Sequence, residues 1–243
     1  MFDVILRALR HPLDYILILN HRTLVLKEVI QETEDIYSFI FALKRPFSWK
    51  AGQHGIFYFP GVPISGKWWR AFSIASSSHE GVVRISTIIK DAPSAYKQHL
   101  RSLKPGDEIG MFGPFGEFHA RPQISHIIGI AGGIGITPFR ALALDIANSV
   151  IADTKLTLLF SSLGAYAFRD ELEALAARSR GNIKILYTVT PEEVNATLDQ
   201  LVATYGNSAT YFISGSPGMI KALRKSCKLK GARKIVNDSF KGY

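Results

Sequence analysis

Residues 129–142 read GIAGGIGITPFRAL, placing Gly132, Gly133 and Gly135 between an apolar run, HIIGIA, and a stretch that opens on Thr137-Pro138. A strand, a glycine loop and a helix in that order present free backbone N–H groups and a positive helix end to an anion. Glycines there let a phosphate come within hydrogen-bonding distance of the main chain, because no Cβ stands in the way. Thr137 reads as the helix cap and Pro138 as its first residue. The chemistry indicated is capture of a dinucleotide diphosphate. Glycine-rich turns of tightly packed sheets look similar, however, and the loop is not a full G-x-G-x-x-G. A ribose-gripping acid is also expected about 20 positions on. The second strand instead ends Phe160-Ser161-Ser162, so a standard NAD fingerprint is absent and the loop's neighbours must decide.

Three further segments bear on that decision. RAFSIASS (70–77) sets Arg70, a phosphate-neutralising cation, two residues from Phe72, with the Ser73 hydroxyl beside it. Alone it reads equally as an exposed Arg beside a core Phe. KDAPSAYKQHL supplies a second helix start with Ser94 as candidate cap, and hence another anion site at residues 92–95. YFISGSPGMIKAL (211–223) puts Ser214, Gly215 and Ser216 where a parallel strand gives way to a helix, the end of an open α/β sheet at which ligands sit. The sequence closes on NDSFKGY, whose Phe240 and Tyr243 suit either docking on the core or covering a flat ligand.

The elements that must position these residues fall into two textures. From Leu24 to about Phe118 short β-rich runs (LVLKEVIQE, IYSFIFAL, GIFYFP, RAFSIASS, VVRISTIIK, DEIGMFG) are separated by Gly/Pro turns, with one helix, SAYKQHLRSL. This predicts an antiparallel barrel or sandwich. After residues 121–123 the strands HIIGIA, LTLLFSS, IKILYTV and TYFISG alternate with the helices TPFRALALDIANSV, FRDELEALAARS and PGMIKALRKSCK, which predicts a parallel sheet covered on both faces. The expected fold is a two-domain α+β protein. An N-terminal helical extension spans 1–21, a barrel 22–121 and an α/β domain 122–243. Phe2, Ile5, Leu6, Leu9 and Leu13 recur at helical spacing, with Pro12 expected to end or bend the helix, so residues 1–20 are a candidate contact with the rest of the protein, a partner subunit or a membrane surface.

Composition narrows the function classes. The single cysteine, Cys227, excludes a cysteine-ligated iron–sulfur cluster in this sequence. The histidines form no close pair, so no metal is expected, and Ser73 has no visible His–Asp companions for hydrolysis. No apolar stretch approaches the ~20 residues of a membrane span; the expected location is the cytoplasm, with residues 1–20 a candidate contact with a membrane surface. The formal charge of +9 favours acidic partners or phosphate ligands, while nucleic acid has only that charge in its favour.

Taken together and in order, R-x-F-S, the helix start at Ser94, G-P-F-G-E-F (113–118), G-G-x-G-x-T-P, F-R-D-E-L (168–172), S-G-S-P-G-M and a C-terminal aromatic resemble the ferredoxin–NADP reductase superfamily of flavoproteins. The resemblance implies a flavin-binding barrel followed by a nicotinamide-dinucleotide domain, with FAD and NADPH or NADH as cofactors. It assigns Arg70 to the flavin pyrophosphate, Phe72 to the isoalloxazine face and Ser73 to the neighbourhood of N5. Ala71, Ile88, Lys90, Ala92, Pro93, Ser94 and Ala95 join the flavin-binding set, with further phosphate contacts at 92–95. Gly132, Gly133, Gly135, Thr137, Pro138, Ser161, Ser162, Gly215 and Ser216 would hold the nicotinamide dinucleotide. Ser73, Ser214, Phe240 and Tyr243 would act at the hydride-transfer centre, with Phe240 or Tyr243 covering the flavin. Ser214 stands where many relatives carry Cys. The missing acid and the serines lean towards NADPH, and Arg169 is a candidate for its 2′-phosphate. The implied activity passes electrons from NAD(P)H through flavin to an acceptor such as ferredoxin, flavodoxin or another acidic redox protein. An electron-transfer subunit of a larger complex and a weakly catalytic flavin sensor are the alternatives.

Overall fold

The computed structural model describes residues 21–151 and 153–238. The expectations for residues 1–20, Phe240 and Tyr243 lie outside the described residues.

Six strands form the first sheet: β1 (His21–Gln31), β2 (Ile36–Leu43), β3 (His54–Tyr58), β4 (Trp69–Ser73), β5 (Val82–Ile88) and β6 (Glu108–Phe115). Their order is β4-β3-β6-β1-β2-β5, and every pairing is antiparallel. Alternation along β3 turns Phe57 inward beside Phe72 of β4, with Phe39, Phe41, Ile85 and Met111 filling the same interior. Full burial of each such side chain stabilises by about 2 kcal/mol. The sheet curls towards closure, because the chain just past β4 joins β5 through Ala75 N–H, which donates to the Arg84 carbonyl at 2.7 Å. Helix α1 (Ala95–Ser102) packs against one end, where Tyr96 and Leu100 are wholly buried.

The second sheet holds β7 (His126–Gly132), β8 (Lys155–Ser161), β9 (Ile183–Thr188), β10 (Thr210–Ser214) and β11 (Ile235–Asn237). All pairings are parallel, in the order β11-β10-β7-β8-β9. Helices α2 (Thr137–Ala147) and α3 (Arg169–Arg178) cover one face, and α4 (Pro191–Tyr205) and α5 (Pro217–Leu229) the other. From β7 the chain proceeds outward through β8 and β9, then returns to β10 on the opposite side of β7. That reversal opens a crevice at the C-terminal ends of β7 and β10, the place where such sheets take ligands. Ile36, Ala51 and Phe118 of the first domain belong to the same core cluster as Phe139 and Phe212 of the second, so apolar packing is continuous across the junction.

Two elements escaped the sequence reading. Helix α4 carries a clear start signal, a capping box in which Thr190 accepts from Glu193 N–H while Glu193 reaches back, with Pro191 at its first turn. Strand β11 is only Ile235–Asn237, too short for a periodicity. One local expectation is corrected. Thr137 is not the cap of α2: a 3-10 turn, Gly133–Ile136, leads directly into the helix, and Ile136 occupies the cap position. The Thr137 hydroxyl instead donates back to the Ile134 carbonyl at 2.6 Å, fastening the glycine turn to the helix.

Candidate functional site

A cleft of about 380 Å³ lies between the two sheets. The barrel side contributes Arg70, Phe72 and Ser73 from β4, Ile88 from the end of β5 and Lys97 from α1. The α/β side contributes Gly132, Gly133, Gly135 and Thr137 from the glycine turn, and Ser214, Gly215 and Ser216 from the β10–α5 turn. Asp238, just beyond β11, also lines it. Segments more than 100 residues apart in sequence therefore meet, as with Ser73 and Asp238 at a separation of 165.

At the centre, the Ser73 hydroxyl donates to Asp238 Oδ2 at 3.0 Å and the Ser214 hydroxyl to the same oxygen at 3.3 Å. All three residues are buried. Asp238 is held in place by its own N–H, which donates to the Ile213 carbonyl at 3.0 Å. Hydrogen bonds to a buried carboxylate contribute about 1.5–3 kcal/mol, more than neutral ones. With their protons directed at Asp238, both serine oxygens can accept from a ligand in the cleft.

The barrel end is cationic. Arg70 donates through Nη1 to the carbonyls of Lys67 (2.6 Å) and Trp69 (2.8 Å), and through Nη2 to Ser94 Oγ (3.4 Å). Its guanidinium carbon lies 5.2 Å from the Tyr96 ring centre. Lys97 donates to the Ile88 carbonyl at 2.8 Å. Burial first, and then the Arg70 charge, pull the Lys97 pKa below its ordinary value. The negative charge of a phosphate beside it would oppose both effects. Ser94 is the cap of α1 by position, but its hydroxyl makes no cap hydrogen bond and accepts from Arg70 instead, which leaves the first α1 amides available. The buried Tyr96 hydroxyl has no hydrogen-bond partner among the described residues. Donors without partners beside two cations are the chemistry of a phosphate cradle.

Two glycines of the opposite wall are required by space. A Cβ on Gly135 would stand 2.4 Å from the Ser214 carbonyl oxygen and 2.6 Å from the Gly215 nitrogen, so this residue lets two turns touch. One on Gly132 would run into Met219 at 2.1 Å. Gly133 has φ +52° and open space around it, which leaves the turn's surface bare for a ligand. The two walls thus differ in what they offer an anion, cations and unpaired donors on the barrel side and bare main chain on the glycine side.

Other expected site residues lie away from the cleft lining. Ala71 sits in β4 opposite Ile56, and Lys90 and Ala92 are exposed on the approach to Pro93, Ser94 and Ala95. Pro138 is buried in the first turn of α2. Ser161 ends β8 beside Gly132, and the Ser162 hydroxyl donates to the Ala165 carbonyl at 3.0 Å. Arg169 donates to Glu173 at 3.0 Å and lies over the Tyr187 ring at 4.7 Å, so its charge already has an anionic partner. Sequence reasoning missed Lys97 and Asp238. Lys97 lies within a segment already marked for its helix start, and a helical turn from Ser94 was the available signal.

Comparison with known proteins agrees with this architecture. Residues 23–120 match the model of the oxidoreductase FAD-binding domain, and residues 130–225 that of the oxidoreductase NAD-binding domain. NADH-cytochrome b5 reductase 1 of Candida glabrata is 25% identical over 186 residues, covering 70% of this chain and 64% of that protein. The chain therefore spans less than two thirds of that relative's length. In fold it is similar to the cytochrome b5 reductase domain of Ulva prolifera nitrate reductase, with a TM-score of 0.76, 22% identity and coverage of 90% of this chain and 98% of the other. Ferredoxin-NADP+ reductase from Plasmodium falciparum gives a TM-score of 0.76 at 16% identity, covering 91% and 97%. A flavin-binding barrel joined to a nicotinamide-nucleotide sheet defines the class as a two-domain flavoprotein oxidoreductase. The chain joins an oxidoreductase FAD-binding domain to an oxidoreductase NAD-binding domain, in a fold shared with ferredoxin-NADP+ reductase.

Proposed function

We propose that this chain carries reducing equivalents from NADH or NADPH through FAD to a separate electron acceptor. The observation that supports it best is the convergence of Ser73 from the barrel and Ser214 from the α/β sheet on Asp238 Oδ2. When bound, FAD supplies a ring that takes a hydride from a nicotinamide and releases the electrons onward. Arg70, Lys97 and the α1 amides neutralise and orient a diphosphate on the barrel wall. The bare glycine turn and the start of α2 do the same on the other wall. Phe72 gives an apolar surface for a flat ring, while the Ser73 and Ser214 oxygens offer hydrogen-bond acceptors at the point where two rings would meet. No side chain needs to remove a proton from carbon, which accords with a site built of two hydroxyls and one carboxylate. A formal charge of +9 supports an acidic redox protein as the acceptor.

Anaerobic rapid mixing of the FAD-loaded protein with NADH, and separately with NADPH, tests this reading. Bleaching of the flavin within seconds is expected. A flavin that stays yellow with both nucleotides would reject it in favour of a sensor.

A further inference from the structure

Behind the cleft lies a second contact between the domains, made almost entirely of ions. Arg140, on α2, has all five guanidinium N–H groups engaged. Nη1 and Nη2 grip the two Glu80 oxygens at 2.9 Å each, Nη2 and Nε reach the two Glu171 oxygens at 2.5 and 3.0 Å, and Nη1 also donates to the Ala75 carbonyl at 2.8 Å. The Arg140 side chain is only 4% exposed. Glu171 in turn meets Arg84 of β5 at 3.4 Å, and Arg84 meets Glu32 at 2.5 Å. Ser77 hydrogen-bonds Asp145 of α2 across the same junction.

Burying an ion cluster of this kind adds little net stability, since desolvation offsets the attraction, but it fixes geometry stringently. What it fixes is specific. Arg140 lies three residues after Thr137, one turn along the helix that the glycine turn opens. Ala75 lies two residues after Ser73 on the chain leaving β4. The bond from Arg140 to the Ala75 carbonyl therefore ties the nicotinamide wall to the flavin wall within one helical turn of Thr137 and two residues of Ser73. Glu80, whose carboxylate also accepts from Ser77 N–H at 2.7 Å, stiffens the barrel side of the tie.

We propose that Arg140 is a positioning residue for hydride transfer: clamped between Glu80 and Glu171, it sets the spacing and angle of the nicotinamide-binding turn against the flavin-binding strand. This rests on the hydride-transfer reading above. Misplacement of reacting atoms by about 1 Å can cost about 100-fold in rate without weakening binding of the remoter parts of a ligand.

The test uses FAD-loaded Arg140→Lys and Glu80→Gln beside the wild-type protein. Lysine keeps the charge and loses the planar fork; glutamine keeps the shape and loses the anion. For both, flavin content and nucleotide dissociation constant are expected within about threefold of wild type, while single-turnover flavin bleaching slows by about 10- to 100-fold. The long-wavelength charge-transfer absorbance of the nicotinamide–flavin pair is expected to weaken in parallel, a readout of ring overlap independent of turnover. Should Arg140→Lys fail to fold, Glu80→Gln alone decides. Variants that lose melting temperature yet keep wild-type bleaching and charge-transfer absorbance would overturn the proposal and leave the functional reading standing. Absence of bleaching in the wild-type protein would overturn both.

Discussion

Ser73 and Ser214, contributed by different domains and 141 positions apart in number, direct their hydroxyls at one oxygen of Asp238, at 3.0 and 3.3 Å. A carboxylate shared in this way makes the two walls of the cleft one unit. Removal of either hydroxyl leaves the other to satisfy Asp238, so Ser73→Ala and Ser214→Ala are expected to be non-additive. Each should slow flavin reduction by about 10-fold or more, and the double variant by less than the product. Stopped-flow single turnovers, repeated on an Asp238→Asn background, measure the coupling; strict additivity would show that Asp238 is not the shared acceptor.

The glycine turn offers a contrast between space and backbone conformation. Gly135→Ala drives a methyl to within 2.4 Å of the Ser214 carbonyl, so the two turns must part. Loss of nucleotide binding and a destabilisation of about 1–3 kcal/mol are expected. Gly133→Ala meets no atom within 4 Å but must hold φ +52°, at a cost of about 1 kcal/mol. Thermal melts and nucleotide titrations of the two variants should therefore rank Gly135→Ala as the more damaging on both counts.

His54, paired with Ser73 in the β3–β4 register, is held by burial at a pKa of about 4. Its neutral form is favoured by folding. The contribution is fully present above the unfolded-state value of about 6.5 and is lost as pH falls towards 4. Chemical denaturation at pH 7 and pH 4.5 should show a loss of about 1–3 kcal/mol from this group, and His54→Gln should flatten that part of the pH profile. An unchanged pH profile in the variant would place the acid sensitivity elsewhere.

Nucleotide choice bears on Arg169. Its pairing with Glu173 and stacking on Tyr187 engage the charge that a 2′-phosphate would need. Arg169→Ala is expected to change the ratio of NADPH to NADH dissociation constants by less than about threefold, whereas Glu173→Gln, which frees the guanidinium, should shift it towards NADPH. Titration of each variant with both nucleotides checks this, and a selective loss of NADPH in Arg169→Ala would return Arg169 to the role the sequence suggested.

How far the sequence was legible follows from how local each signal is. Strands such as IYSFIFAL and HIIGIA declare themselves through apolar runs, and the glycines at 132, 133 and 135 through their spacing. Arg70, Phe72 and Ser73 form one short motif, and all three line the cleft. Asp238 was hidden because its meaning depends on β11, a three-residue strand, delivering it to serines elsewhere in the chain. Arg140 was equally opaque: within TPFRALALDIA it looks like a polar interruption of an apolar helix, and its partners Glu80 and Glu171 lie 60 and 31 positions away. The Thr137 reading failed because a 3-10 turn can lead into a helix without a side-chain cap, which residue types alone do not reveal.

The proposed function requires two rings to face each other across this cleft and exchange a hydride. It is tested by anaerobic single-turnover reduction of the bound flavin by NADH or NADPH carrying deuterium at both C4 positions of the nicotinamide. A primary isotope effect on flavin bleaching at saturating nucleotide is the expected result; bleaching at the same rate with either isotope, or no bleaching at all, would contradict it.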